Sequence, residues 1–374
     1  MDERAGDAKL FRPRACHTLW AAPSGIRPRG DRIPLAVIDE AASSDEPVAA
    51  SSGKAPGRGA MRVLVVGAGA TGGYFGARLA EAGRDVTFLV RPARAARLAA
   101  RGLTVKSPVR DAHLAAPATV TAGAIPGPYD LVLLSCKAYD LAGAIEDLAP
   151  AVGPGTAILP ILNGMAHLDA LDARFGPARV LGGSCAIAAT LGPEGEIVQM
   201  SDLHSLTFGE RDGTRSARVE AVAALMRDAT FTARLTDKVL LEMWEKWVFL
   251  ATLAGGTCLM RGTVGDIVGA PGGRALMLGL LDECRRIAAQ AGYAPREKFL
   301  ETSRGTLTAE GSAFTASMLR DIEKGAAIEA DHIVGDLLRR GRAGAPEAPF
   351  PHLDTVLTHL KTYERRRARQ EARA

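Results

Sequence analysis

Residues 61–83 read MRVLVVGAGATGGYFGARLAEAG and contain the pattern that decides the fold. The continuous apolar run at residues 63–66 is typical of a parallel strand that is buried on both faces. Gly67, Gly69 and Gly72 follow it with G-x-G-x-x-G spacing, and a helical stretch comes next that Gly83 ends. This order of strand, glycine turn and helix predicts the first unit of a Rossmann-type α/β domain with a doubly wound sheet.

The glycine turn also predicts a dinucleotide-binding site. Its first glycine permits a tight turn, the second lets the backbone approach a pyrophosphate, and the third allows close helix–strand packing. The start of the helix offers free N–H groups and the positive end of its dipole to the phosphates. Glycines also occur at ordinary turns, but here a second strand, DVTFLV at residues 85–90, follows in the required order. We therefore predict that the cofactor is bound by Gly67, Ala68, Gly69, Ala70, Thr71 and Gly72.

The end of the second strand indicates which dinucleotide is bound. An NAD site usually has Asp or Glu there for the ribose 2′-hydroxyl, whereas this chain has Arg91, with Arg94 close behind. A carboxylate would repel a 2′-phosphate, and a guanidinium can pair with it through two hydrogen bonds. Arg91 therefore favours NADP(H); the alternative is that it is an ordinary surface residue.

Two later strands place polar residues at the same edge of the sheet. The stretch YDLVLLSCKAYD (129–140) predicts a strand that ends at Ser135, and TAILPILNGM (156–165) predicts another that ends near Asn163. Ligands of open α/β sheets lie beyond the carboxyl ends of the strands. We expect Lys137 and Asn163 to lie near the cofactor or the substrate, although each can also be read as a polar loop residue.

Strand patterns stop after about residue 235, and residues 237–260 predict a long, mostly apolar helix with Lys246 in its middle. Leu250 and Ala254 lie on the same face, four and eight positions on. An ammonium group on an apolar face is costly unless something pairs with it, which makes Lys246 a candidate functional residue. The alternative is a lysine whose charged end reaches solvent.

Residues 313–345 predict another helical run that Gly325 interrupts. The resulting helix–turn–helix arrangement would bring Ser317 and Glu329 together.

Composition limits the class of protein. The chain has 374 residues, 47% of them hydrophobic and 24% charged, with a net charge of +4 that is too small to suggest nucleic-acid binding. No apolar run approaches the roughly 18 residues that span a bilayer. The five cysteines are scattered and the histidines form no ligand pattern, which argues against disulfides and zinc. We predict a cytoplasmic, metal-free protein without nucleic-acid or membrane partners. Its oligomeric state stays open, a homodimer included.

Three regions are expected along the chain. Residues 1–60 have no apolar periodicity and are rich in Pro, Gly, Ser, Arg and Ala. We expect them to be a disordered tail or to precede the natural start at Met61. Residues 61–235 would form the NADP-binding domain, and residues 236–374 the helical substrate domain.

Several stretches together resemble the ketopantoate reductase (2-dehydropantoate 2-reductase) family: GAGATGG, LVR, SCKAYD, LNGM, MWEKWVF, TASMLRDIEKGAAIEADHIVGDLLRR and KTYERR. The resemblance extends from Met61 to about Arg367. It implies a Rossmann domain and an all-helical domain with the active site in the cleft between them. It also implies hydride transfer from NADPH to the carbonyl carbon of a small 2-oxo acid, a step of pantothenate biosynthesis.

Carried over by position, the resemblance implies that Lys246 is the catalytic lysine and Asn163 the asparagine of the cleft. It implies further that Lys137 lies on the cofactor side and that Ser317 and Glu329 contact substrate. One departure concerns Leu250 and Ala254, which stand where the family has asparagines. Amides there can bond a hydroxylated substrate, so the substrate is either ketopantoate or a less polar 2-oxo acid.

Two other functions remain open from the sequence. One is another NADP-dependent hydroxyacid or opine-type dehydrogenase, since these share the two-domain plan. The other is a non-catalytic NADP-binding sensor, against which the presence of Lys246, Asn163 and Glu329 argues.

Overall fold

The structure is a computed structural model that describes residues 61–373. The predicted tail of residues 1–60 lies outside the described residues. The strands are β1 Arg62–Val66, β2 Asp85–Leu89, β3 Leu103–Lys106, β4 Ala112–Leu114, β5 Ala118–Val120, β6 Leu131–Leu134, β7 Ala157–Pro160, β8 Gly182–Leu191, β9 Ile197–Gly209 and β10 Thr232–Leu235. The α-helices are α1 Ala70–Glu81, α2 Pro92–Arg101, α3 Leu141–Leu148, α4 Ala166–Phe175, α5 Ala217–Met226, α6 Val239–Met260, α7 Val264–Gly269, α8 Gly273–Gln290, α9 Glu297–Leu307, α10 Ser317–Glu323, α11 Asp336–Gly344 and α12 Pro351–Glu371.

The first sheet is a parallel sheet in the order β5-β2-β1-β6-β7. Its central strand, β1, sends alternate side chains to opposite faces. Val63 and Val65 pack into one apolar core with α1, whereas Leu64 and Val66 pack into a second core that continues into the helical half. Burial on both faces explains why this strand reads as an unbroken apolar run. The predicted Rossmann-type domain followed by a helical domain is confirmed.

A second sheet was not predicted. It has the order β10-β9-β3-β4, and β8 pairs with β9 in an antiparallel hairpin. The second sheet packs on α1, where a Cβ on Gly73 would lie 2.6 Å from the Ile197 side chain. Its two long strands, β8 and β9, mix small, polar and apolar residues, so no apolar run marks them.

The helical half is built around α6, which packs against α8, α10 and α12. The predicted helix at residues 237–260 begins two residues later than expected, at Val239. No helix among residues 61–373 is both long and apolar enough to cross a membrane.

In the predicted helical run at residues 313–345, the interruption at Gly325 is confirmed, but the helix bounds need a correction. The first helix does not begin until Ser317 and stops at Glu323, because Gly325 takes a left-handed conformation with φ of +68°. The chain becomes helical again at residues 331–335, as a single π-helical turn that leads into α11. Such turns occur frequently at functional sites.

Candidate active site

The glycine turn lies at the carboxyl end of β1. Gly67 has φ of +95°, and a Cβ on Gly72 would overlap the Gly67 carbonyl oxygen and the Ser135 hydroxyl. Glycine is therefore required for α1 to pack this closely on β6. Gly69 precedes α1 without a side-chain cap, and a Cβ there would meet nothing within 4 Å. The open space and the free N–H groups of the first helical turn fit a dinucleotide pyrophosphate.

Two arginines follow β2, and they have different surroundings. Arg94 is turned inward: its Nη2 donates to the Ala68 carbonyl at 2.9 Å and its Nη1 to the Gly195 carbonyl at 3.0 Å. Arg91 is 77% exposed, and its Nη2 lies 2.6 Å from Oδ1 of Asp140. Arg94 thus holds the glycine turn in place, whereas Arg91 lies at the solvent-facing edge, where the 2′-phosphate is expected.

Lys137, beyond β6, connects the two halves of the molecule. Its Nζ lies 3.2 Å from Glu329 Oε2 and 3.3 Å from Asp321 Oδ2. The Ala138 N–H also donates to Glu329 Oε1 at 3.0 Å. Burial lowers the pKa of Lys137, but the two carboxylates outweigh burial, and the pKa is raised. Lys137 is therefore a firmly cationic group that holds the Rossmann half against the chain between α10 and α11.

Lys246 is buried in the middle of α6, with only 7% of its surface exposed. Its Nζ donates a 2.6 Å hydrogen bond to the main-chain carbonyl of Cys185 on β8. Burial lowers the pKa of the lysine, since its partner is a neutral carbonyl rather than a carboxylate. The alternative of a lysine that reaches solvent is excluded by this placement.

Asn163 follows β7, and a short series of contacts connects its loop to Lys246. The Cys185 thiol donates to the Ile161 carbonyl at 3.6 Å, two residues before Asn163. The next residue, Gly164, has φ of +77°, and a Cβ there would lie 2.7 Å from the carbonyl oxygen of His332. The loop carrying Asn163 therefore packs directly on the π-helical turn of the helical half.

A pair of histidines lies behind this loop. The imidazole of His332 is hydrogen-bonded to the Asn163 main chain, and its Nε2 lies 3.4 Å from Nδ1 of His167. The two rings are stacked with centroids 5.6 Å apart. His167 is completely buried, and its pKa is lowered well below the usual value by burial and then by the neighbouring His332 and Lys246. Both histidines are therefore neutral at pH 7.

The structure thus pairs Lys137 with Glu329 and packs the Asn163 loop on the helical half, while Lys246 contacts the neighbouring strand β8 through Cys185. Ser317 is exposed at the start of α10, and within the described chain no hydrogen bond joins it to Glu329. Ala254 is buried in the apolar core, and Leu250 is half-buried against it.

Four groups at this site were not predicted from the sequence. They are the Cys185 carbonyl, Asp321, and the histidines at positions 167 and 332. A main-chain carbonyl has no sequence signal, and His167 belongs to no ligand or catalytic motif. Asp321 and His332 had a usable signal, because both lie, like Glu329, within the stretch TASMLRDIEKGAAIEADHIVGDLLRR that resembles the family.

The site has a glycine-lined helix N-terminus at the carboxyl ends of the parallel strands and a helical domain that contains a buried lysine. This is the architecture of a two-domain dinucleotide-binding oxidoreductase. Comparison with known proteins narrows this class. The family model "Ketopantoate reductase PanE/ApbA" matches residues 63–213, and "Ketopantoate reductase PanE/ApbA C terminal" matches residues 238–364.

Individual relatives agree with these family models. "Uncharacterized oxidoreductase YkpB" of Bacillus subtilis is 36% identical over 304 residues, covering 81% of this chain and 99% of the relative. A 2-dehydropantoate 2-reductase of Archaeoglobus fulgidus is 31% identical, covering 75% of this chain and 91% of that protein. The crystal structure of 2-dehydropantoate 2-reductase from Geobacter metallireducens has a TM-score of 0.74 at 30% identity, covering 81% of this chain and 99% of its own.

The chain belongs to the ketopantoate reductase family. This family is one of oxidoreductases, and together with the Rossmann-type sheet it implies a nicotinamide cofactor.

Proposed function

We propose that this protein uses NADPH to reduce a 2-oxo acid to a 2-hydroxy acid in the cytoplasm. The observation that carries the proposal is the buried Lys246, which lies beside the loop that follows β7. Burying a lysine without a carboxylate partner costs free energy. We attribute this cost to the need for a proton donor at the reacting carbonyl.

The cofactor supplies a hydride when it is bound, and this chain's residues hold it. The glycine turn, residues 67–72, forms the pyrophosphate site, and the free main-chain N–H groups of the first turn of α1 donate to the phosphates. Arg91 pairs with the 2′-phosphate, which makes NADPH the preferred form. Lys137 and Asn163 follow the next two strands of the sheet and bind toward the other end of the dinucleotide.

Lys246 is the general acid of the reaction. Reduction of a carbonyl leaves negative charge on its oxygen, and that oxygen must receive a proton. The Cys185 carbonyl holds the ammonium in place, and burial lowers its pKa, which makes it a better acid near neutral pH. The amide of Asn163 donates a hydrogen bond to the same oxygen and orients it. After the product leaves, water that enters the substrate site returns a proton to the neutral amine.

Ser317 and Glu329 contact the remainder of the substrate. The Glu329 carboxylate is paired with Lys137, which weakens its repulsion of a substrate carboxylate compared with an unpaired carboxylate. The Ser317 side chain is exposed at the start of α10, where its hydroxyl can donate to that carboxylate.

Leu250 and Ala254 point to a less polar substrate than ketopantoate. Neither side chain can hydrogen-bond a substrate hydroxyl. A site without such partners loses much of the discrimination that a polar site has. We therefore propose that 2-oxo acids with plain alkyl chains, of which 2-oxoisovalerate is an example, are used at least as well as ketopantoate.

The test is a panel of 2-oxo acids in which NADPH oxidation is followed by absorbance. The panel contains ketopantoate, 2-oxoisovalerate and pyruvate, with assays lacking the 2-oxo acid as controls. We expect saturable oxidation with at least one acid and a kcat/KM for 2-oxoisovalerate no lower than that for ketopantoate. A protein that binds NADPH but turns over none of the acids would contradict the proposed reaction and favour another dehydrogenase activity or a non-catalytic NADP-binding role.

A further inference from the structure

The ion pair between Arg91 and Asp140 crosses the dinucleotide side of the sheet. Arg91 follows β2, and Asp140 lies in the short 3-10 turn at residues 138–140 that follows β6. The strand between them in the sheet is β1, whose carboxyl end carries Gly67. The pair therefore joins the two strand ends on either side of the glycine turn.

At this edge, Arg91 is the arginine whose carboxylate partner a ligand can replace. The Arg91 side chain is 77% exposed and the Asp140 side chain 37% exposed, so a ligand can reach both. Arg94 is held by two main-chain carbonyls. Lys137, the next cation along the edge, is held by two carboxylates.

We propose that Asp140 is a specificity-determining residue that occupies Arg91 until a 2′-phosphate displaces it. This inference rests on the proposed use of NADPH. The carboxylate stands in for the phosphate in the cofactor-free protein, and the guanidinium exchanges one anion for the other when NADPH binds. NADH brings only a 2′-hydroxyl to Arg91, so it leaves the ion pair in place.

The energetics favour this exchange for a phosphate but not for a hydroxyl. An exposed carboxylate–guanidinium pair is weak, whereas a phosphate dianion carries more charge and accepts two parallel hydrogen bonds. The displaced carboxylate still opposes NADPH, because it competes for Arg91 and repels the phosphate. Asp140 therefore lowers NADPH affinity below what Arg91 alone would give.

The first test is Asp140→Asn, with dissociation constants measured by calorimetry for NADPH, NADH and 2′,5′-ADP. Asparagine suits the position before α3, so the helix start is retained. We expect NADPH and 2′,5′-ADP to bind about two- to fivefold more tightly, the range that loss of an exposed ion pair allows. We expect NADH affinity to be unchanged. Unchanged or weaker NADPH binding would overturn the proposal, since Asp140 would then be neutral or would orient Arg91 favourably.

A double-mutant cycle shows whether the effect passes through Arg91. In the Arg91→Gln background, Asp140→Asn is expected to change NADPH affinity much less than in the native background. An equal gain in both backgrounds would mean that Asp140 acts on the phosphate alone, and would contradict the exchange.

Glu146→Gln is the matched control for net charge. Glu146 lies on α3 and forms an exposed ion pair with Arg174 at 3.2 Å. This variant removes the same charge and should leave all three dissociation constants unchanged; an equal gain in NADPH affinity would refute a specific role for Asp140.

Cofactor binding by the native protein separates the proposed use of NADPH from the proposed role of Asp140. If the protein binds NADH as tightly as NADPH, the proposed cofactor is wrong; if it prefers NADPH and Asp140→Asn has no effect, only the role of Asp140 is wrong.

Discussion

Replacing Lys246 with methionine should remove activity without a comparable loss of stability. Methionine has a similar length and no charge, so it fills the space on α6 that Lys246 occupies. General acid catalysis typically contributes about 10²- to 10⁴-fold. We therefore expect kcat to fall by that factor, which corresponds to about 2.7–5.5 kcal/mol in the activation barrier.

Two opposing effects on stability should nearly cancel. The variant loses the hydrogen bond from a charged donor to the Cys185 carbonyl, worth about 1.5–3 kcal/mol. It also relieves the cost of burying an ammonium, which the lowered pKa of Lys246 reveals. We expect the free energy of unfolding to stay within about 2 kcal/mol of the native value.

The pH dependence of the free energy of unfolding shows whether burial destabilises the charged form of Lys246. The unfolded chain binds a proton at this lysine up to its ordinary pKa of 10.5, whereas the folded protein releases it at a lower pH. The native protein therefore gains stability as pH rises toward 10.5, and Lys246→Met lacks that gain.

The assays are NADPH absorbance for kcat and urea unfolding at pH 7 and pH 9.5 for stability. Lys238→Met, an exposed lysine just before the same helix, is the control that should leave kcat unchanged. A methionine variant that keeps kcat within tenfold of the native protein would refute the assignment of Lys246 as the general acid.

Three further predictions concern other residues. Arg91→Asp should weaken NADPH binding far more than NADH binding, because it replaces pairing with repulsion; equal increases in the two dissociation constants would contradict this role. Leu250→Asn should raise the kcat/KM ratio of ketopantoate to 2-oxoisovalerate a few-fold, since one recovered hydrogen bond is worth about 0.5–1.5 kcal/mol. An unchanged ratio would exclude Leu250 from substrate choice, and Ala254→Asn is the poorer test because it puts an amide into the apolar core. His167 keeps a neutral ring in the folded protein while the unfolded chain takes up a proton below about pH 6.5. The free energy of unfolding should therefore fall between pH 7.5 and pH 5.5 by up to about 1.4 kcal/mol per pH unit, and His167→Leu should flatten that slope in urea titrations; identical slopes would contradict it.

Local patterns predicted the first sheet well. The strands β1, β6 and β7 are short and buried, so each one appears as an apolar run whatever its partners are. The second sheet escaped prediction because β9 pairs with β3, for example Val105 with Ile197, far apart along the chain. Its strands have no unbroken apolar run, and pairing between distant strands leaves no local pattern.

The candidate site likewise combines residues that stand out in the sequence with groups that leave no local pattern. Lys246 stood out because a charge on an apolar helix face is anomalous in the sequence itself. Its partner, the Cys185 carbonyl, is a main-chain atom with no such signal. The partnership of Arg91 with Asp140 joins positions 49 residues apart and depends on the order of strands in the sheet.

The most direct test of the proposed reaction follows the hydride itself. NADPH carrying deuterium on one face of C4 of the nicotinamide, and then on the other, is incubated with the protein and the best 2-oxo acid of the panel. The product is analysed by mass spectrometry and proton NMR. We predict a 2-hydroxy acid with one deuterium at C2 from one of the two labelled cofactors and none from the other. A 2-hydroxy acid free of deuterium with both cofactors, or no product at all, would contradict direct hydride transfer to a 2-oxo acid.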